Sequence, residues 1–133
     1  MRVLIASMLL IATPALAAES VTGSWRTDTN DGIIEIAPCG SAVCGRLARS
    51  LVPIKPPGTD FRNPDPALRN RPIIGLPVLT GFVQDGDVWR GTAYDPKVGK
   101  SYAATLQRIG PDQLKVRGCI LFFCRSVMWS RAR

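Results

Sequence analysis

The chain predicts an all-β fold: a small antiparallel up-and-down β-barrel of about eight strands. Three observations carry this. Turn-forming residues recur at short intervals, and the segments between them have strand length. No helix of any length is visible, and there is no internal repeat. Finally, Gly23-Ser24-Trp25 lies on the first strand and Trp129-Ser130-Arg131 on the last. In a closed sheet those two strands are neighbours.

Val21 to Thr27 reads as the first strand, with Val21, Gly23, Trp25 and Thr27 on one face. Asn30-Asp31-Gly32 is a turn signal. Gly32 to Ala37 follows, with Ile34 and Ile36 opposite Ile33 and Glu35. Pro38 to Gly40 turns the chain into Val43–Leu51, which alternates apolar and basic residues with a slip around Arg49. Pro53, Pro56, Pro57 and Gly58 then open a long polar loop over about 53–72. Ile73 to Val83 is apolar but interrupted by Pro77, which belongs at a strand end, an edge or a bulge. Asp85-Gly86-Asp87 marks a hairpin into Val88–Tyr94, and Asp95 to Gly99 is a longer turn. Ser101 to Arg108 alternates most clearly, with Tyr102, Ala104 and Leu106 on one face. After Gly110-Pro111-Asp112, Gln113–Leu121 and Ser126–Arg131 complete the set.

The two ends predict how the barrel closes. Trp129 and Arg131 are two apart, so they share a face of their strand, as Gly23 and Trp25 do on theirs. Arg131 is expected to lie over the Trp25 indole at the barrel floor, with Gly23 leaving the room. Trp25, Trp129 and Arg131 are thus structural residues.

Residues 1–17 are expected to be a cleaved export signal. Arg2 is a positive start, Val3 to Ala12 is an uncharged apolar run, and Ala15-Leu16-Ala17 is a small-x-small cleavage site. The run is shorter than the ~20 residues a spanning helix needs. Removing 17 of the 133 residues leaves 116, in one domain over 18–133, with a formal charge of +6. No later segment reads as transmembrane. A periplasmic or secreted location follows, and the cysteines agree. Four cysteines allow three pairings, which sequence alone does not decide. The local spacing favours Cys39–Cys44 and Cys119–Cys124 as disulfide staples. Zinc or thioredoxin-like chemistry favours Cys-x-x-Cys, which the chain lacks.

Motifs spread over the whole mature length point to a family. They are Gly23 with Trp25; Cys39-Gly40 and Cys44-Gly45; Asn63 to Arg69 with Arg71-Pro72 and Gly75-Leu76-Pro77; Gly91, Tyr94-Asp95-Pro96 and Gly99 to Tyr102; Val116 to Cys119; and Trp129 with Arg131. In these the chain resembles the bacterial domain-of-unknown-function 2147 family (DUF2147). The pairing of Gly-x-Trp with a late arginine also resembles the lipocalin and wider calycin pattern. The resemblance implies a small, exported bacterial protein with a calycin-like barrel. It implies no activity, because none is established for the family, and it transfers no catalytic residue.

The side-chain inventory narrows the chemistry. There is no histidine, which removes Ser-His-Asp, Cys-His and His-based zinc hydrolysis. Carboxylate chemistry through Asp60, Asp65 and Asp95 is conceivable, but an aspartate beside proline is ordinarily a turn former. Asp60, Asn63 and Asp65 lack the ligand spacing of an EF-hand. No metal and no cofactor is expected. The excess of 17 Lys and Arg over 10 Asp and Glu is scattered rather than clustered. Together with export it argues for solubility or an anionic envelope surface, not for nucleic acid.

The expectation is a non-enzymatic envelope protein whose barrel holds a small amphipathic or anionic ligand beneath the long loop. Candidate ligand-binding residues are Asn63, Asp65, Arg69, Arg71, Trp89, Tyr94, Asp95 and Tyr102. Arg69 and Arg71 would suit a carboxylate or phosphate head. The alternative is a protein–protein or envelope-interaction module with a solid core, and the third reading is a carboxylate-dependent enzyme.

Overall fold

A computed structural model describes residues 7–12 and 17–133. The expected export signal therefore lies partly outside the described residues, at 1–6 and 13–16. Residues 7–12 form neither helix nor strand. No helix among the described residues is long and apolar enough to cross a membrane.

Among the described residues eight strands follow one another: β1 Gly23–Arg26, β2 Gly32–Cys39, β3 Ala42–Ser50, β4 Pro77–Asp85, β5 Val88–Asp95, β6 Lys100–Ile109, β7 Gln113–Ile120 and β8 Phe123–Arg131. Each pairs antiparallel with the next, and β8 returns to β1, so the sheet is a closed barrel. Closure leaves no edge strand among the described residues to template pairing with another chain. The only helical turn among the described residues is a 3-10 turn at Pro66–Leu68.

Strand boundaries differ from the expected ones where local chemistry misleads. Pro38 lies inside β2 rather than in the turn, which falls at Gly40-Ser41. β2 pairs with β1 only as far as Ile36. Pro38 therefore sits where the strand has a neighbour on one side alone, the setting that tolerates proline. β4 starts at Pro77 rather than Ile73. Gly75 has φ +88, and its amide reaches back to the Leu47 carbonyl at 2.7 Å, so the chain is still turning there. The connection between β3 and β4 is accordingly longer than expected, covering 51–76. The slip near Arg49 is a bulge: Ile33 faces Arg49 and Ile34 faces Leu47, leaving Ala48 unopposed. β8 begins at Phe123, three residues before its expected start.

Inward-facing side chains fill one end of the barrel. Val21, Trp25, Ile36, Phe82, Leu106 and Leu114 are fully buried there. Trp25 lies directly opposite Arg131 in the β1–β8 pairing. The Arg131 guanidinium stands 4.2 Å from the Trp25 ring centroid, and its Nη1 donates to the Thr22 carbonyl at 3.4 Å. The indole N–H donates to the Val21 carbonyl at 2.9 Å. A Cβ on Gly23 would overlap Arg131 Nη1, so only glycine admits the guanidinium here. This end is the floor. Cys39–Cys44 staples the β2–β3 hairpin at the same end, Cys119–Cys124 staples β7–β8 at the other, and no cysteine is free.

Candidate functional site

At the opposite end the interior is not filled. A cavity of about 560 Å3 opens there, walled by Ile34, Leu47, Val78, Leu79, Val116 and Trp129. Ile34, Leu47, Val116 and Trp129 are inward residues of β2, β3, β7 and β8, where strand alternation makes the wall apolar. The consecutive Val78 and Leu79 are both buried because the β3–β4 pairing shifts between Gly45–Leu79 and Arg46–Pro77. A neighbouring hollow of about 520 Å3 shares Asp28, Thr29, Asp95, Tyr102, Val116 and Trp129 with it, so both open on the same end. Tyr102 enters the interior because it packs over Gly118, where a Cβ would come within 2.6 Å of its ring.

The rim is made by the β1–β2 turn, the β3–β4 loop, the β5–β6 turn and, beside the neighbouring hollow, the β7–β8 turn. Asp28 and Asp31 come from the first, Ile54, Lys55, Phe61 and Arg62 from the second, and Asp95 and Lys97 from the third. Lys97 Nζ pairs with Asp31 and ties the first and third together. Burial pushes the Asp31 carboxyl up, but hydrogen bonds from Lys97 and Thr27 outweigh it and hold its pKa at about 2. The Asp31 partner raises the pKa of Lys97. Burial, with Asp95 and Asp28 nearby, raises that of Tyr102.

Asp60 organises the long loop. The residue is 1% exposed. Tyr94 O–H donates to Asp60 Oδ1 at 2.5 Å, and Asn63 Nδ2 donates to Oδ2 at 2.8 Å. Arg71 Nη2 lies 3.4 Å from Oδ2. Backbone bonds complete the clasp: Asp60 N–H to the Arg71 carbonyl at 2.9 Å and Asn63 N–H to the Asp60 carbonyl at 3.0 Å. A buried carboxylate is tolerable only when paired and hydrogen-bonded in this way. Burial and the Asp60 hydrogen bond push the Tyr94 hydroxyl up to about 12, so it stays protonated and donates. Thus the loop is fixed to β5 by one side-chain bond. It is fixed to the β5–β6 turn by close approach of Gly99 to the Arg62 carbonyl, where a Cβ would overlap.

The structure separates the sequence-predicted ligand residues into two groups. Tyr94, Asp95 and Tyr102 line the cavity. Asn63, Asp65, Arg69, Arg71 and Trp89 do not. Asn63 is buried against Asp60. Asp65 caps the 3-10 turn by accepting from Ala67 N–H at 3.0 Å. Arg69 Nε donates to the Asn63 carbonyl at 2.7 Å. Arg71 is turned onto Asp60. The Trp89 indole N–H donates to the Glu19 carbonyl at 2.9 Å, away from the mouth. The loop thus spends its own polar groups on holding its shape. Asp95 is also a turn former, accepting from Lys97 N–H at 2.9 Å. Lys55, Phe61, Arg62 and Lys97 at the rim were missed. Their only sequence signal was membership of the segments flanking the strands.

A closed antiparallel barrel with an arginine over a tryptophan at its packed floor and an open, apolar-walled mouth defines a lipocalin-like fold. Among solved structures the chain is similar to protein HP1028 of Helicobacter pylori, described as belonging to the lipocalin family. The TM-score is 0.74 and the identity 19%, covering 86% of this chain and 84% of that one. At that identity the likeness establishes the fold alone. The chain belongs to the family described as uncharacterised protein conserved in bacteria (DUF2147), which matches residues 23–131. No curated protein matches it. Two disulfides in a bacterial family accord with an oxidising compartment.

Proposed function

We propose that the protein is an exported, non-enzymatic binding protein of the bacterial envelope that holds a small amphipathic molecule in its barrel. The apolar-walled cavity of about 560 Å3 carries this reading, since it falls within the ~300–1,000 Å3 typical of small-molecule sites. Its chemistry favours a ligand with an apolar body and a polar head. The body would lie against Leu47, Leu79, Val116 and Trp129, and the head among the rim groups Asp28, Lys55, Arg62 and Asp95. Arg69 and Arg71 are committed within the loop, so an anionic head would depend on Lys55 and Arg62 instead. Tyr102 and Tyr94 supply aromatic edges between the two zones. No step of acid–base catalysis is part of this reading, because Asp60, Asp65 and Asp95 are occupied in the loop and its turns.

The test uses protein produced with its own leader and purified after export. Its intact mass should correspond to a chain starting at Ala18. Tryptophan emission should change on titration with single-chain amphiphiles of anionic, zwitterionic and cationic head. The change should vanish in Trp129→Phe. It should weaken about tenfold or more in Val116→Phe, which fills the cavity at unchanged surface chemistry. No emission change with any amphiphile removes the binding reading.

A further inference from the structure

The β7–β8 turn differs in kind from the other tight turns. Gly40-Ser41 and Gly86-Asp87 are small and polar, as hairpin turns usually are. Here the turn is Leu121-Phe122, and Leu121 takes φ +54, a conformation that leucine rarely adopts. Ile120, Leu121, Phe122 and Phe123 are 58, 90, 98 and 85% exposed. Four consecutive apolar residues thus face solvent, with Leu121 and Phe122 almost wholly uncovered at the end of the projection. The hairpin is cross-linked at the base of this tip, where Cys119 faces Cys124 and joins it in a disulfide.

The charges carried by the β7–β8 hairpin itself are all of one sign. Between Gln113 and Met128 the only ionisable side chains outside the disulfide are Lys115, Arg117 and Arg125. Among the described residues none of the three forms an ion pair. Strand rise of about 3.4 Å per residue puts Arg125 roughly 10 Å, and Arg117 roughly 14 Å, behind the end of the tip. An apolar element lying in a bilayer interface sinks about 5–10 Å. At that depth Arg125 meets the lipid headgroups, and Arg117 reaches them on its flexible stem. The acidic groups at this end come from other turns: Asp31 is paired with Lys97, while Asp28 and Asp95 line the hollow that Arg125 also lines, behind the Leu121-Phe122 tip.

We propose that the β7–β8 tip is a membrane-docking finger that inserts Leu121 and Phe122 into an anionic phospholipid surface, with Arg117 and Arg125 on the headgroups. A second copy of the chain fits the tip poorly. Four residues on a narrow projection are far fewer than the about 20–30 per side of a standard protein interface. Docking also places the mouth of the barrel at the lipid surface, because Ile120, Phe123 and Arg125 line the hollow there. The finger does not depend on the ligand reading. Docking without amphiphile uptake would overturn only that reading.

The experiment is flotation of the exported protein with vesicles of equal parts phosphatidylglycerol and phosphatidylcholine, against pure phosphatidylcholine. Wild type should float with the anionic vesicles and release as salt is raised. Leu121→Ser/Phe122→Ser should bind about tenfold or more weakly at an unchanged melting temperature. Arg117→Ala and Arg125→Ala should each lose about fivefold. In Phe122→Trp, bromine-labelled lipid tails should quench more emission than in wild type. The proposal fails if wild type stays with the unbound fraction, if the serine variant floats like wild type, or if neutral vesicles bind equally well. Self-association abolished by the serine substitutions, without flotation, would overturn it in favour of a second copy.

Discussion

Arg131 sits where the barrel has least backbone to hold it. β1 pairs with β8 through only two residue pairs, Trp25 with Arg131 and Arg26 with Ser130. The guanidinium adds a stack on Trp25 and a bond to the Thr22 carbonyl across the same seam. An arginine over an indole contributes about 0.5–2 kcal/mol, and the lost carbonyl partner adds to that. Arg131→Ala should therefore lower stability by about 1–3 kcal/mol in urea unfolding. Arg133, 81% exposed and paired with an exposed Asp112, should tolerate the same change. Equal midpoints for the two variants would show that the stack is not what holds the seam. This contact was legible in the sequence because it needs only strand alternation and Gly23. The roles of Arg69 and Arg71 were not. A guanidinium reads as free until the fold shows that its partner is the Asn63 carbonyl or the Asp60 carboxylate.

The long β3–β4 loop behaves as an element in its own right. Its polar composition announced a loop, but composition does not reveal that Asp60 is buried at its centre. Removing that carboxylate leaves the Tyr94 hydroxyl, the Asn63 amide and Arg71 without their acceptor. Stranding buried polar groups costs about 1–3 kcal/mol each. Asp60→Ala should therefore release the loop while the eight strands persist. Trypsin should then cut after Arg62 and Arg69 markedly faster than in wild type, with the far-ultraviolet circular dichroism unchanged. Cleavage at the wild-type rate would mean that the clasp is held by its backbone bonds alone. Tyr94→Phe should fall between the two, since it removes one of the three donors. The β7–β8 hairpin shows the opposite limit of sequence reading. With no glycine, asparagine or proline at Leu121-Phe122, the turn carries no sequence signal, and the expected last strand starts only at Ser126.

For the molecule as a whole, the order and closure of the strands followed from turn chemistry and alternation, because each hairpin is a local decision. The cavity did not, since side-chain lists do not reveal whether facing residues meet. The mouth has an acid limit. The Asp31 carboxyl moves from 3.8 to about 2 on folding, so its pairing with Lys97 contributes stability that is fully present above pH 3.8. That contribution is lost as pH falls through about 2. Wild type should lose more stability over this window than Asp31→Asn, measured by urea unfolding at each pH. Parallel curves would place the acid sensitivity elsewhere. The two-pair seam between β1 and β8 also governs when the protein can become itself. Residue 25 must wait for residue 131, so any sheet formed before the last strand is made would be open, with two bare edges. Those edges are shut off only when the last strand arrives. A chain truncated before Trp129 should thus behave as a sticky sheet rather than as a smaller barrel.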